Sequence, residues 1–374
     1  MRLGYLAFNT GAVVGHSILD STQAMEVTGG NTGNLAFWYA GSKLTNAKLI
    51  MFNRATSPDL LKGKVDALMF PASNFLNEDL DLTKLAHLVR ELNVPCFIVG
   101  LGAQSESFDY IPKLKSGTVN FIREVSKRTP YLCVRGEFTK KVCEYYGVTN
   151  VISLGCPSVF INKETSLGVV LENKFNKPIE SLSVHAACRK ESLKGVERDL
   201  TKQLGLYGGK YIIQRPPEFI KLMNSENLSV EDVGALDVYR EFFFPGYTHS
   251  QMHMFFKKKG AYYLDISTWI NSLRACSHGI GTRIHGTMLT LAAEVPSICI
   301  THDTRTSELA DALKIPRISS IDYQKSQSNI RDVMNRAIFS GEEFDNNRRV
   351  LAIKYDEILN QLEIPVGEIL RPHI

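Results

Sequence analysis

The densest group of chemically capable residues is Ser277-His278-Gly279-Ile280-Gly281-Thr282-Arg283-Ile284-His285-Gly286, which runs into an apolar stretch of helical spacing at 287–294. Glycines on both sides of Arg283 and His285 let the backbone turn sharply and come close to a ligand, with Gly281 the candidate for closest approach. The helix that follows aims its free N–H groups at the same place, which makes an anion site. Arg283 and His285 stand two apart, so at a helix mouth both can reach one small ligand. The same spacing is also accounted for by an internal ion pair of Arg283 and a helix cap by His285. Arg135, in Cys133-Val134-Arg135-Gly136-Glu137, and Arg305, in Thr301-His302-Asp303-Thr304-Arg305, each follow a strand and precede a helix, where sheet-edge ligand sites form. An ion pair of Arg135 with Glu137 is the structural alternative. Three guanidiniums at strand ends suit a ligand with several negative oxygens, because the planar fork holds carboxylate and phosphate bidentately. Asn31-Thr32-Gly33-Asn34 offers the amides of Asn31 and Asn34 to a sugar or an anion, or serves simply to cap a helix. Gln104, in the turn Gly100-Leu101-Gly102-Ala103-Gln104-Ser105, and Asn74, in Pro71-Ala72-Ser73-Asn74-Phe75, complete the candidate substrate-binding set.

Several signatures are missing from the sequence: GxGxxG, the Walker GxxxxGK[ST], GxSxG and HExxH. Asp79-Leu80-Asp81 reads as a pair of carboxylates at a helix start, favoured there by the helix dipole, rather than as a metal site. His278, His302 and Asp303 have no metal-ligand spacing. The expectation is no metal and no cofactor.

These residues must be held by the elements around them, and the pattern of those elements is regular. Short β-rich runs at 3–8, 48–52, 67–70, 96–99, 131–134 and 151–154 alternate with runs of helical spacing such as 35–44, 82–92 and 138–146. A second series runs through 182–184, 211–213, 262–264, the segment around Ile280, 297–300 and 317–319. Its helices include 266–276, 287–294 and 307–313, and a long closing helix spans 344–362. Alternation of this kind predicts parallel sheets with helices on both faces, an α/β fold. The polar, turn-rich segment 162–178 separates the two series. The expected domains are therefore 1–162, 163–340, and a closing helix and tail at 341–374. Two such domains facing each other make a cleft into which strand ends and helix N-termini point.

Length and composition agree with this reading. A chain of 374 residues with 44% hydrophobic and 22% charged residues buries enough surface to fold without staples and is neither disordered nor coiled-coil. A net charge of +4 with mixed signs gives no electrostatic case for nucleic acid. Seven cysteines, an odd count without CxxC spacing, sit mostly in apolar runs and read as buried reduced thiols. Without a secretory h-region or an apolar run of about 18 residues, a cytoplasmic protein is expected. The cluster Lys257-Lys258-Lys259 reads as a solvated helix end, and any membrane association as peripheral only.

Gly281-Thr282-Arg283-Ile284-His285-Gly286, the helix after it, Pro296, a strand and Asp303-Thr304-Arg305 together resemble the C-terminal signature of the polysaccharide pyruvyl transferase family. Asn31-Thr32-Gly33-Asn34, Val134-Arg135-Gly136 with Thr139, and Leu154-Gly155-Cys156-Pro157-Ser158 match three further family segments in order, so the resemblance runs from about residue 30 to 320. It departs at Asn34, where many members are acidic, and at Pro71–Phe75, where many have a glycine cluster. The resemblance implies two Rossmann-like domains facing across a cleft, as in GT-B glycosyltransferases. The first domain would be the acceptor side and the second the donor side. It further implies transfer of pyruvate from phosphoenolpyruvate onto sugar hydroxyls as a ketal, in the biosynthesis of exopolysaccharide or another cell-surface polysaccharide. The acceptor is expected to be a sugar or a lipid- or nucleotide-linked glycan. On this reading Arg283, Arg135 and Arg305 hold the donor, His285 is the candidate acid, and a carboxylate base is expected that the sequence does not place. The alternatives are a nucleotide-sugar glycosyltransferase of GT-B type and a non-catalytic glycan-binding member of the fold.

Overall fold

The computed structural model describes residues 1–326, 329–337 and 339–374. Six runs in the first part of the chain form strands: β1 (Arg2–Leu6), β2 (Lys48–Phe52), β3 (Ala67–Pro71), β4 (Cys96–Val99), β5 (Leu132–Val134) and β6 (Val151–Ser153). Each connection carries a helix or a turn back over the sheet, so every pairing is parallel. The order is β2-β1-β3-β4, and a bridge between Leu101 and Val134 continues it into the β5–β6 pair. A second set follows: β7 (Leu182–His185), β8 (Gly209–Ile212), β9 (Gly260–Ala261), β10 (His278–Gly281), β11 (Ser297–Thr301) and β12 (Arg317–Ser319). These six strands form one parallel sheet in the order β12-β11-β10-β7-β8-β9. The molecule is thus an α/β fold of two parallel sheets. Strands β3, β4, β7, β10 and β11 are buried throughout, as strands covered on both faces should be; β3 and β4 are continuous apolar runs, while β7 and β10 also bury Ser183, His185 and His278.

In each sheet the chain builds outward from the first strand in one direction and then starts again on its other side. β1 has β2 on one side and β3 on the other, and β7 has β8 on one side and β10 on the other. The crevice at the carboxyl ends of such a pair is where open α/β sheets bind ligands.

Two parts of the second half differ from the sequence expectation. The strand expected at 262–264 is instead the two-residue edge strand Gly260–Ala261. The apolar character of the next residues serves packing: Tyr263 stacks on Trp269, and Val13 N donates to Leu264 O at 2.8 Å. Between β8 and β9 lies an insertion of three helices, Pro217–Asn224, Val230–Phe243 and His249–Lys259. They surround an aromatic cluster in which Phe219 meets Phe256 at 4.5 Å and Phe243 at 5.8 Å. Helix Pro217–Asn224 has a clear apolar face in Phe219, Ile220 and Leu222, whereas the other two bury few apolar residues, Leu236, Phe242 and Phe243 in one and Met252 and Phe256 in the other, so their apolar period is weak.

The closing helix is Gly341–Gln361. Its buried residues Phe344, Leu351, Tyr355 and Ile358 return to the first half, where Tyr355 packs on Phe97 and Phe160 at 6.3 and 6.0 Å. On the same helix Arg348 is fully buried and donates to the carbonyls of Val159 (3.2 Å), Asn162 (2.5 Å) and Glu164 (2.8 Å) in the connection between the halves. Its charge is balanced by Asp345 at 3.5 Å. Arg348→Met leaves three carbonyls without their donor and takes the cation from Asp345, which keeps only the backbone N–H groups of Gly168 and Val169, and we expect a loss of about 3–5 kcal/mol. Urea unfolding checks this; a loss below about 1 kcal/mol means water replaces the guanidinium without cost.

Candidate functional site

At the carboxyl ends of β7 and β10 lies a cavity of about 420 Å³, lined from the second half by Ala187 to Lys190, Arg215, Arg283 and His302, Asp303 and Arg305. Asn31, Asn74 and Gln104 close it from the first half, and Tyr239 and Phe243 of the insertion complete it.

Its floor is set by a carboxylate that the sequence reading did not single out. Glu197, on helix Lys194–Tyr207, is fully buried and accepts from Ala187 N (2.8 Å), Cys188 N (3.1 Å) and Thr282 Oγ1 (2.7 Å). It thereby ties the turn after β7 to the turn after β10. It also holds Ala187 at φ 68°, a left-handed conformation that costs a residue with a Cβ about 1 kcal/mol or more. The turn so fixed aims the carbonyls of Ala186 and Ala187 at Arg283, which donates Nε to the first at 3.3 Å and Nη2 to the second. Among the described residues Arg283 thus has carbonyl partners and no ion pair, and it lines the cavity with only the buried carboxyl of Glu197 beneath the turn to offset its charge. Gly281 stands inside β10 and does not line the cavity. A Cβ there would strike the His185 carbonyl, so this glycine serves strand pairing, not ligand approach. Gly286 is close-packed in the same way against His185 and Gln214.

Arg305 sits in the first turn of helix Thr304–Leu313. Its Nη2 is 3.5 Å from Asp303 Oδ2, and its Nε is buried without a partner. Asp303 caps that helix by accepting from Thr306 N at 2.8 Å, and faces His302 at 3.6 Å and Lys190 at 3.8 Å. Burial works against its ionisation, but Arg305, His302 and Thr306 outweigh it and hold the carboxyl at about 2. The cavity thus gathers Arg189, Lys190, Arg215, Arg283 and Arg305 around one carboxylate. Arg189, Lys190 and Arg215 were missed from sequence, although the strand-end rule that picked Arg305 applies to them, as they follow β7 and β8.

Arg135 stands behind the wall. It is 2% exposed, passes over Gly102, and donates to Gly100 O (3.0 Å) and Asn74 Oδ1 (3.1 Å), not to Glu137. Its Nη2 is buried and unpartnered. Asn74 in turn donates to Gln104 Oε1 at 3.1 Å, so these two cavity residues are oriented by each other and by Arg135. Asn31 Oδ1 accepts from Gly33 N at 2.8 Å, a turn that leads into helix Asn34–Lys43 without a side-chain cap. Asn34 points elsewhere: it donates to Thr28 O at 2.8 Å and lines a different cavity. His285 also does not line the cation-rich cavity. Its Nε2 lies 3.8 Å from Cys156 Sγ and its ring 5.6 Å from Phe37, so it caps nothing. Burial first, then the charges of Arg135 and Arg305, push its pKa well below 6.5.

Thr139 and Glu308 fasten the halves beside this site. Thr139 donates N–H and Oγ1 to the Glu308 carboxylate at 2.9 and 2.6 Å, and Thr139 Oγ1 accepts from Ala103 N at 2.9 Å. Burial pushes the Glu308 carboxyl up to about 7, against the Thr139 bonds. A carboxyl raised in the native state favours the protonated form there, so its contribution is full below the unfolded value near 4.5 and is lost as pH rises to about 7. Relative to Glu308→Gln, the wild type should lose about 3 kcal/mol between pH 4.5 and 8. Urea midpoints of both proteins across that range test it; a pH-independent difference contradicts it.

Among the described residues no group of three or more His, Cys, Asp or Glu side chains is placed to hold a metal ion. Two parallel-sheet halves with a cation-lined cavity between them define the class, an α/β protein of two parallel sheets. The family model for polysaccharide pyruvyl transferase matches residues 31–304, and the chain belongs to that family. It is therefore a transferase of polysaccharide biosynthesis. No curated protein matches the chain. Among solved structures it is similar to UDP-GlcNAc 2-epimerase from Methanocaldococcus jannaschii in complex with UDP-GlcNAc and UDP, at 11% identity over 95% of this chain and all of that one, with a TM-score of 0.47. S. aureus MnaA in a co-structure with UDP is 10% identical over 98% of this chain and 99% of that one, with a TM-score of 0.45. The wall teichoic acid polymerase TagF is 11% identical over 97% and 88%, with a TM-score of 0.40.

Proposed function

We propose that this chain transfers pyruvate from phosphoenolpyruvate to sugar hydroxyls, forming a ketal on a cell-surface polysaccharide or its precursor, in the cytoplasm. No described helix is long and apolar enough to cross a membrane. The observation that carries the proposal is the cavity of about 420 Å³ lined by Arg189, Lys190, Arg215, Arg283 and Arg305, whose one lining carboxylate, Asp303, is already engaged by its neighbours, with Glu106 on Lys190 at 3.1 Å and Glu197 beneath the floor as the other nearby acids. Phosphoenolpyruvate sets a carboxylate and a phosphate on one three-carbon enol, so it needs several cations close together, and guanidiniums suit both groups. In the reaction a proton adds to the methylene carbon and leaves C2 cationic. A sugar hydroxyl then attacks C2, losing its proton, and phosphate departs as a second hydroxyl closes the ketal. Arg283 and Arg305 hold the donor, and the proton source is His285, which stands behind the cavity wall beside Cys156 and Phe37 and so delivers its proton by relay and not by contact. Asp303 lines the cavity, but at about 2 it is a poor base, and its bonds make it the group that aligns Arg305 and Lys190.

A nucleotide-sugar transferase on this fold wants a carboxylate for the ribose at the N-terminus of helix Ile284–Ala292. Glu294 lies beyond the other end of that helix, in a groove with Lys174 and Cys276. Thermal unfolding with each ligand separates the two readings. Phosphoenolpyruvate at a hundred times its dissociation constant should stabilise the protein by about 2.7 kcal/mol, and UDP- and GDP-sugars should give no comparable shift. The reverse pattern overturns the assignment. Phosphate release and a new ketal methyl resonance on incubation with an acceptor panel test the transfer itself.

A further inference from the structure

Two of the cations that line the cavity of about 420 Å³ are not spent on the protein itself. Arg283 is held by carbonyls, Arg305 leans on Asp303, and Lys190 is shared between Asp303 and Glu106. Arg189 and Arg215 differ. Both are exposed, and among the described residues neither donates a hydrogen bond or makes an ion pair. Arg189 follows β7 and Arg215 follows β8, neighbouring strands of one sheet, so both lie at the same carboxyl edge. Tyr239 of the insertion faces them both. The Arg189 guanidinium lies over its ring at 5.8 Å, which restrains the orientation of that fork. Both guanidiniums act on the Tyr239 hydroxyl, which has no hydrogen-bond partner among the described residues. Glu218 acts on the same hydroxyl but forms no ion pair with either arginine. Arg215 is also within electrostatic reach of Arg283. Like charges gathered in this way draw anions into a cleft.

Gln214, immediately before Arg215, accepts at its carbonyl from Thr32 N at 3.1 Å. Arg215 therefore stands at the seam where the second half meets the turn that carries Asn31, another residue of the cavity wall. On the proposed function Arg283 and Arg305 take the two anionic groups of phosphoenolpyruvate, which leaves Arg189 and Arg215 for an anion that the donor does not carry. We infer that Arg189, Arg215 and the Tyr239 hydroxyl form a second anion subsite, and that it takes a carboxylate or phosphate borne by the acceptor, which is an acidic glycan. The inference rests on the proposed transfer for the acceptor's role, though not for the binding of the anion. Either group presents two or more oxygens to a guanidinium fork.

The full chain is followed by thermal unfolding with and without saturating phosphoenolpyruvate. The probes are methyl glucuronide, methyl galacturonide and hexose 6-phosphates, against neutral methyl glucoside and methyl galactoside. At least one acidic probe should stabilise the phosphoenolpyruvate-loaded protein further and bind about tenfold or more tightly than its neutral counterpart. The uronide and phosphate arms tell which anion the subsite takes. Arg189→Gln and Arg215→Gln should each weaken that probe about tenfold, as loss of one charge-assisted hydrogen bond does, and alter phosphoenolpyruvate binding less than about threefold. If no acidic probe binds, if neutral probes bind as well, or if the variants bind the acidic probe like wild type, the inference is overturned while the donor assignment stands. It is also overturned if the acidic probe competes with phosphoenolpyruvate, or if the variants lose both ligands equally, since the pair then belongs to the donor. If phosphoenolpyruvate fails to bind and an acidic probe still needs both arginines, the anion subsite stands and the transfer reaction falls.

Discussion

Arg283→Lys should weaken phosphoenolpyruvate binding about a hundredfold. The guanidinium is held by the carbonyls of Ala186 and Ala187, through Nε and Nη2, in a turn that Glu197 fixes from below. Nη1 is left for the cavity with its orientation already set. A lysine ammonium satisfies one carbonyl or reaches the ligand, but it cannot keep the planar arrangement that does both. Two charge-assisted hydrogen bonds at about 1.5 kcal/mol each amount to about two decades of affinity. The free protein should change little, because a cation still neutralises the carbonyl edge. We expect its stability to fall by about 1 kcal/mol. Calorimetric titration against wild type reads the affinity and urea unfolding the stability. A variant that binds normally but unfolds early shows that Arg283 serves the turn after β7 and not the ligand.

The balance between those two roles shows which parts of the site the sequence made legible. Arg283, Arg305, Asn74 and Gln104 line one cavity because each lies just past a strand end or in the first turn of the helix after it, places that linear patterning identifies, and Asn31 joins them from the turn between two helices. Arg189, Lys190 and Arg215 satisfy the same rule, but unlike Arg305 they lie outside the segments that resemble the family pattern. Glu197 and Glu308 are different. Each is an acidic residue within a helix, indistinguishable in sequence from a solvated one, and only tertiary packing makes it a buried acceptor for a turn 9 residues away or a helix 169 residues away. Thr139 belongs to a segment that resembles the family pattern, and its hydroxyl is spent on Glu308 and Ala103, so its part is to join the halves. Gly281 and Asn34 show the limit of spacing arguments. A glycine that permits close approach permits it toward β7 as well as toward a ligand, and a side chain at the first position of a helix can face either of two adjacent cavities. The parallel sheets were readable where buried strands such as β3 and β4 are continuous apolar runs, whereas helices Val230–Phe243 and His249–Lys259 of the insertion have only a weak period to read.

His285→Gln should lower the turnover of the proposed transfer by about 10²–10⁴-fold while leaving the dissociation constant of phosphoenolpyruvate within about threefold, because glutamine keeps a hydrogen bond but cannot deliver a proton. In the free protein the imidazole is neutral: burial disfavours its charge, and Arg135 and Arg305 repel it further. A trianion settling among the guanidiniums reverses that local field, so the ring becomes basic enough to carry the proton only when the donor is bound. The sign of the pH dependence follows. In wild type, kcat/KM should fall as pH rises through the depressed value of the free protein, and kcat should fall only at higher pH, where the bound complex loses its proton. Both descending limbs should vanish in the glutamine variant. If binding and turnover fall together, and the limbs stay where they were, His285 is a hydrogen-bond donor in the wall behind the cavity. The proton must then come from elsewhere, with the buried carboxyl of Glu308, at about 7, the next group to replace.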